Sequence, residues 1–148
     1  AKSIREALNA PQPLTPEDFT PTADDTILEQ RAARLEQQPI KDEPKGIEKP
    51  QQTQSNGKSF VRDPEVRAWV RQQAKGKCEG CGQPAPFEKS GKPFLEVHHV
   101  KHLAQDGSDR PSNAVALCPN CHRRCHHSSD RDEFTASLYL NVKRLKPE

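Results

Sequence analysis

Two Cys-x-x-Cys pairs, Cys78/Cys81 and Cys118/Cys121, constrain this chain more than any other feature, and 36 residues (82–117) separate them. A Cys-x-x-Cys turn aims two thiolates at one tetrahedral ion, and two such turns complete a four-cysteine site. The spacing predicts a structural zinc that pins together the ends of the intervening unit. Hydrophobic residues make up 31% of the 148 and charged residues 30%, so the core is small and a metal staple is what such a core needs. Five cysteines is an odd count. Paired knuckles beside histidines favour metal in a reducing cytoplasm over a secreted disulfide scaffold. The fifth, Cys125, is expected to pack as a small apolar residue on a helix or to replace a knuckle ligand. Cys118-Pro119-Asn120-Cys121-His122 also spells a haem-attachment motif. Covalent haem requires export and usually a Met ligand. The chain has no Met and no apolar leader at its start, so that reading fails.

The chain divides by composition. Residues 1–59 carry 8 Lys/Arg against 10 Asp/Glu, and residues 60–148 carry 15 against 11, so the basic surplus lies with the six His and five Cys. A mild surplus fits phosphate binding without demonstrating it. Seven of the 14 Pro fall in residues 1–58, along with the run Gln51-Gln52-Thr53-Gln54-Ser55-Asn56-Gly57-Lys58. Residues 1–59 therefore read as a Pro/Gln-rich flexible linker, with one short helix near 24–38 ended by Pro39. No apolar run is long enough to span a membrane. A start at Ala1 without any Met suggests a fragment of something longer.

The folded part is expected over 60–148. Asp63-Pro64-Glu65 is a helix start, followed by Val66, Trp69, Val70 and Gln73 at helical spacing, with Gly76 to close the helix. Trp69 reads as core. Residues 83–93 read as a loop, 94–98 as a short strand and 100–112 as a polar loop. Residues 114–117 form a second strand leading into the second knuckle. A short helix should carry His122 to His127. A last helix, about 130–145, presents Phe134, Leu138, Val142 and Leu145 on one face.

His98 and His99 end the first strand, where the turn can bring both rings to one site. His122 and His126 stand four apart on a helix, so they share a face and can hold one ion. Asn113 lies between the two pairs. His102 and His127 read as surface or satisfied core residues. Arg123, Arg124, Lys143, Arg144 and Lys146 read as phosphate contacts or solvated charges.

The set His98-His99, Asn113 and His122-xxx-His126 resembles the signature of the HNH, or ββα-metal, nucleases. The flanking Cys pairs resemble its zinc-containing branch. The stretches Val61-Arg62-Asp63-Pro64, Leu95-Glu96-Val97-His98-His99-Val100 and Val115–Arg123 are similar to the C-terminal nuclease domains of restriction enzymes that act on modified cytosine. The resemblance covers about residues 60–146. It implies an α+β fold: a small ββα-metal module with a four-cysteine zinc site and flanking helices, preceded by a largely disordered linker. It implies that His98, His122 and His126 hold one divalent ion (Mg2+, Mn2+, Co2+ or Ni2+). His99 would act as general base and Asn113 would fix the loop that orients it, giving products with a 5′-phosphate and a 3′-hydroxyl. Relatives often carry Gly-Gly late in the loop after His99, where this chain has Asp106-Gly107.

The implied function is metal-dependent hydrolysis of DNA phosphodiester bonds, as the cleavage domain of a type IV-like restriction enzyme in a prokaryotic cytoplasm. The partner would be DNA, double-stranded and with modified cytosine, chosen by an N-terminal reading domain absent from this fragment. A homodimer is compatible with double-strand cutting. The alternatives are a non-catalytic zinc-stabilised DNA-binding module and a zinc-bridged protein-interaction domain. Neither needs His99 together with the His122/His126 pair, and this chain keeps all three.

Overall fold

The computed structural model describes residues 12–53 and 59–148. The helices are α1 (Asp25–Leu35), α2 (Pro64–Ala74), α3 (Pro119–His127) and α4 (Arg131–Asn141). The strands are β1 (Glu88–Lys89), β2 (Lys92–Pro93), β3 (Glu96–His99) and β4 (Ala114–Leu117), with single 3-10 turns at Pro16–Phe19, Leu103–Gln105 and Pro111–Asn113. No helix among the described residues is long and apolar enough to cross a membrane.

β3 and β4 pair antiparallel, with Glu96 opposite Leu117, His98 opposite Val115 and His99 opposite Ala114. All four β4 residues are buried, so this strand is the floor on which the rest is built. α3 follows β4 directly, because Cys118 ends the strand as helix N-cap and Pro119 takes the first helical position. The unit is thus strand, strand, helix, with its metal-competent side chains where β3 meets α3.

Two helices close the core. α2 starts at Asp63, whose carboxylate accepts from Glu65 N at 2.8 Å, and stops where Lys75 and Gly76 both adopt positive φ. It buries Val66 and Val70 completely, while Trp69 is partly buried and Gln73 exposed. α4 buries Phe134 and Leu138. It stops at Asn141, so Val142 and Leu145 reach the same core from the turn beyond it. The segment read as a loop over 83–93 contains the two-residue hairpin β1–β2, register Glu88 to Pro93.

Residues 12–53 of the expected tether include a helix that packs against α2. Parts of this stretch also pair with the segment before α2 and with the loop between β3 and β4. α1 buries Leu28, Ala32 and Leu35; Ala32 and Leu35 cluster with Ala68 of α2, with Leu14 and Ile40 around them. A small residue at 68 lets the two helices approach closely, and charges flank the contact. Arg67 bridges Asp25 and Glu29, and Arg71 bridges Glu29 and Glu36, at 2.5–3.2 Å. Further along, Thr22 pairs with Arg62 and Ile47 with Asp109. The parts of the expected linker at 1–11 and 54–58 lie outside the described residues.

Candidate active site and metal centres

The four knuckle cysteines converge. The sulfurs of Cys78, Cys81, Cys118 and Cys121 all lie within 4.8 Å of one another. The first knuckle is set by its own backbone: the N–H groups of Gly80 and Cys81 donate to Cys78 Sγ at 3.3 and 3.4 Å. Burial alone would raise the Cys78 thiol, but the backbone donors of Cys118, Cys81 and Gly80 hold it below the usual range. Burial and the neighbouring sulfurs push Cys121 well above it. Four sulfurs this close cannot all ionise without a cation between them, and a soft divalent ion fits the donor set. Cys125 is buried outside this group, and burial pushes its thiol up to about 11. It serves as packing, not as a substitute ligand.

The first knuckle is also tied to the C-terminal segment. Glu79 accepts Ala116 N at 2.9 Å and both terminal nitrogens of Arg144 at 2.7 Å. Arg144 donates as well to Ala114 O and Pro111 O and lies over the Trp69 ring. Its guanidinium is therefore committed inside the fold, against the reading of Arg144 as a phosphate contact. Arg124 is similarly engaged, paired with Asp130 and stacked on Phe134 at 4.3 Å.

The histidines form the second cluster. The ring of His98, on β3, lies 5.0 Å from those of His122 and His126, which are 5.0 Å from each other. Burial, followed by the neighbouring His122, His126 and His102, lowers His98 to about 3. Burial and neighbouring imidazoles lower His126 too. Neutral imidazoles held this close are ready-made nitrogen ligands.

The convergent nitrogens, however, belong to His98, His102 and His126, all within 4.8 Å of one another. His122 has its Nδ1 3.2 Å from a Glu96 carboxylate oxygen. His102, read from sequence as a surface or core residue, is thus a member of the cluster. No sequence pattern marks it, because His98 lies on a strand, where an interval of four residues sets no shared helical face.

His99 stands apart from this set. Its Nε2 lies 2.8 Å from Asp109 Oδ1, and Asp109 is 2% exposed. No sequence pattern singles out Asp109, which lies in a loop without periodicity. Asn113, fully buried, locks that loop. Its Oδ1 accepts Lys101 N at 2.8 Å, its Nδ2 donates to Lys101 O and Ser108 O at 2.9 and 2.8 Å, and its backbone carbonyl accepts Val100 N. Where relatives carry the first of two glycines, Asp106 adopts the left-handed conformation at φ 68°. Gly107 is then required, because a Cβ there would lie 1.9 Å from Lys101 O.

Residues 78–128 match the HNH endonuclease family. The matched segment holds both knuckles, the histidine cluster, Asp109 and Asn113, so the chain carries an HNH endonuclease-type domain. It is 46% identical over 127 residues to the type IV methyl-directed restriction enzyme EcoKMcrA of Escherichia coli (strain K12), covering 85% of this chain and 46% of that protein. Among solved structures it is similar to the type IV phosphorothioation-dependent restriction endonuclease ScoMcrA. The TM-score is 0.53 with 29% identity, over 88% of this chain and 26% of that one. The chain spans less than half the length of the curated relative and about a quarter of the solved structure.

Proposed function

We propose that this chain is the cutting domain of a type IV-like restriction endonuclease and hydrolyses DNA phosphodiester bonds with His99 as general base. One observation carries the reading: His99 ends β3 directly after His98 of the imidazole cluster, and Asn113 pins the loop that follows it. Attack of water on phosphorus needs a group that accepts the proton, and an imidazole does so near neutral pH. Asn113 keeps His99 at a fixed place relative to the cluster, which supplies the positioning part of the rate.

His98 and His126, completed by His122 or His102, would hold one divalent ion. When bound, that ion supplies charge stabilisation at the scissile phosphate and leaving oxygen. All-nitrogen donors suit softer ions such as Mn2+, Co2+ or Ni2+ better than Mg2+. Zinc would occupy the four cysteines, and its work there is folding. One relative is named as methyl-directed and the other as phosphorothioation-dependent, and both proteins are longer than this chain. We accordingly assign the reading of double-stranded, modified DNA to an N-terminal domain outside this chain.

The test compares wild type and His99→Ala on modified and unmodified plasmid, across several divalent ions. The variant should lose cleavage while keeping DNA binding and one zinc per chain. Equal cleavage by the variant under manganese would overturn the base assignment.

A further inference from the structure

Asp109 is buried in the loop between β3 and β4, and each of its polar groups is engaged. Oδ1 faces His99 Nε2 at 2.8 Å, and Oδ2 accepts the backbone N–H of Asp63 at 2.6 Å. Its own N–H donates to Ile47 O at 2.7 Å, and its carbonyl accepts Ile47 N at 2.8 Å. The arm before α2 therefore pairs directly with the residue that touches His99. The approach is close. Gly46 has φ +70°, and a Cβ there would lie 2.1 Å from Asp109 O.

A carboxylate only accepts hydrogen bonds. The nitrogen of His99 that faces it must therefore carry the hydrogen, which leaves Nδ1 with the lone pair. We propose that Asp109 is a positioning residue. It fixes His99 as the Nε2–H tautomer so that Nδ1 takes the proton from water, and the Gly46–Ile47 arm holds Asp109 in place. This rests on His99 being the base. Water loses its proton to Nδ1, its oxygen bonds to phosphorus, and the leaving oxygen departs with the electron pair of its broken bond to phosphorus and takes a proton from solvent. The arm then belongs to the active-site scaffold.

Asp109→Asn is the decisive variant. The Asp63 N–H still requires an oxygen on its side, so the asparagine turns its NH2 group toward His99. That donor needs Nε2 as acceptor, which moves the ring hydrogen to Nδ1. The variant keeps both hydrogen bonds and folds, but it presents the wrong tautomer. Ring nitrogen shifts of His99, measured by NMR on the metal-free chain at about pH 8.5, where an imidazole is neutral, read this directly. Wild type should show Nε2–H and Asp109→Asn should show Nδ1–H.

In cleavage assays Asp109→Asn should lower kcat on the order of 100-fold, with KM within about twofold. Gly46→Ala should also lower kcat, by displacing Asp109, with zinc content unchanged. A wild-type tautomer and kcat in Asp109→Asn would overturn the proposal. So would an Nδ1–H tautomer in wild type. If the tautomers follow the expectation while wild type cuts no DNA with any metal, the positioning stands and the nuclease reading falls.

Discussion

Arg144 and Glu79 form a two-pronged ion pair, both contacts 2.7 Å, across 65 residues of sequence, joining the first knuckle to the segment after α4. Both side chains are largely buried, at 16% and 12% exposure. Removing one partner of such a pair leaves the other uncompensated. Arg144→Ala should therefore lower unfolding stability by about 3 kcal/mol and speed loss of the knuckle metal to a chelator. Arg144→Lys should not restore it, since an ammonium cannot span both carboxylate oxygens and two backbone carbonyls. Denaturant melts and chelator-release rates check both statements.

His102 gives the second prediction. Its nitrogens converge with those of His98 and His126, whereas His122 faces Glu96. If His102 is a ligand, His102→Ala should weaken binding of Mn2+ or Ni2+ by roughly tenfold or more, read by calorimetry with the four-cysteine site already filled. His122→Gln should then weaken it less than His126→Gln does. Unchanged affinity in His102→Ala would return the set to His98, His122 and His126.

The third concerns the arm. Leu35 is 2% exposed and contacts Ala32 and Ala68 in a small cluster away from the main core. Leu35→Ala should cost about 2–4 kcal/mol if α1 unfolds together with α2. Hydrogen exchange would show whether it does. A loss of protection confined to residues 25–35, with α2 unchanged, would mean that the arm opens separately.

The parts of this molecule that were legible in sequence are those governed by a repeat. The spacing of Val66 and Val70 gave α2, that of Phe134 and Leu138 gave α4, and the Cys-x-x-Cys interval gave the four-sulfur cluster. His102 and Asp109 were not legible, because loop 100–113 has no period. Its shape comes from the Asn113 side chain and the left-handed Asp106, which bring residues apart in sequence to one point. The docking of α1 was hidden for a different reason. Leu28, Ala32 and Leu35 make a thin stripe that is stable only against Ala68, Arg67 and Arg71, and a sequence does not display that partner. Pro and Gln around the stripe carry the composition of a tether.

Asp63 yields a prediction in pH. Burial raises its carboxyl from the ordinary 3.8 to about 6, with the nearby Asp109 and Glu65 adding to the rise while its hydrogen bond from Glu65 N opposes it. A carboxyl raised on folding favours the native state fully below its unfolded value, and that contribution is lost as pH climbs through about 6. At neutral pH Asp63 is thus a partly buried charge that the fold tolerates because its oxygen caps α2. Asn supplies the same capping oxygen without the charge. Asp63→Asn should match wild type in stability at about pH 4 and exceed it by about 1–2 kcal/mol at about pH 8. The gain should develop between the ordinary value of 3.8 and the raised value of about 6, and level off above it. Urea melts across the range check this, and a gain of equal size at both ends would mean that the benefit comes from the cap and not from the charge.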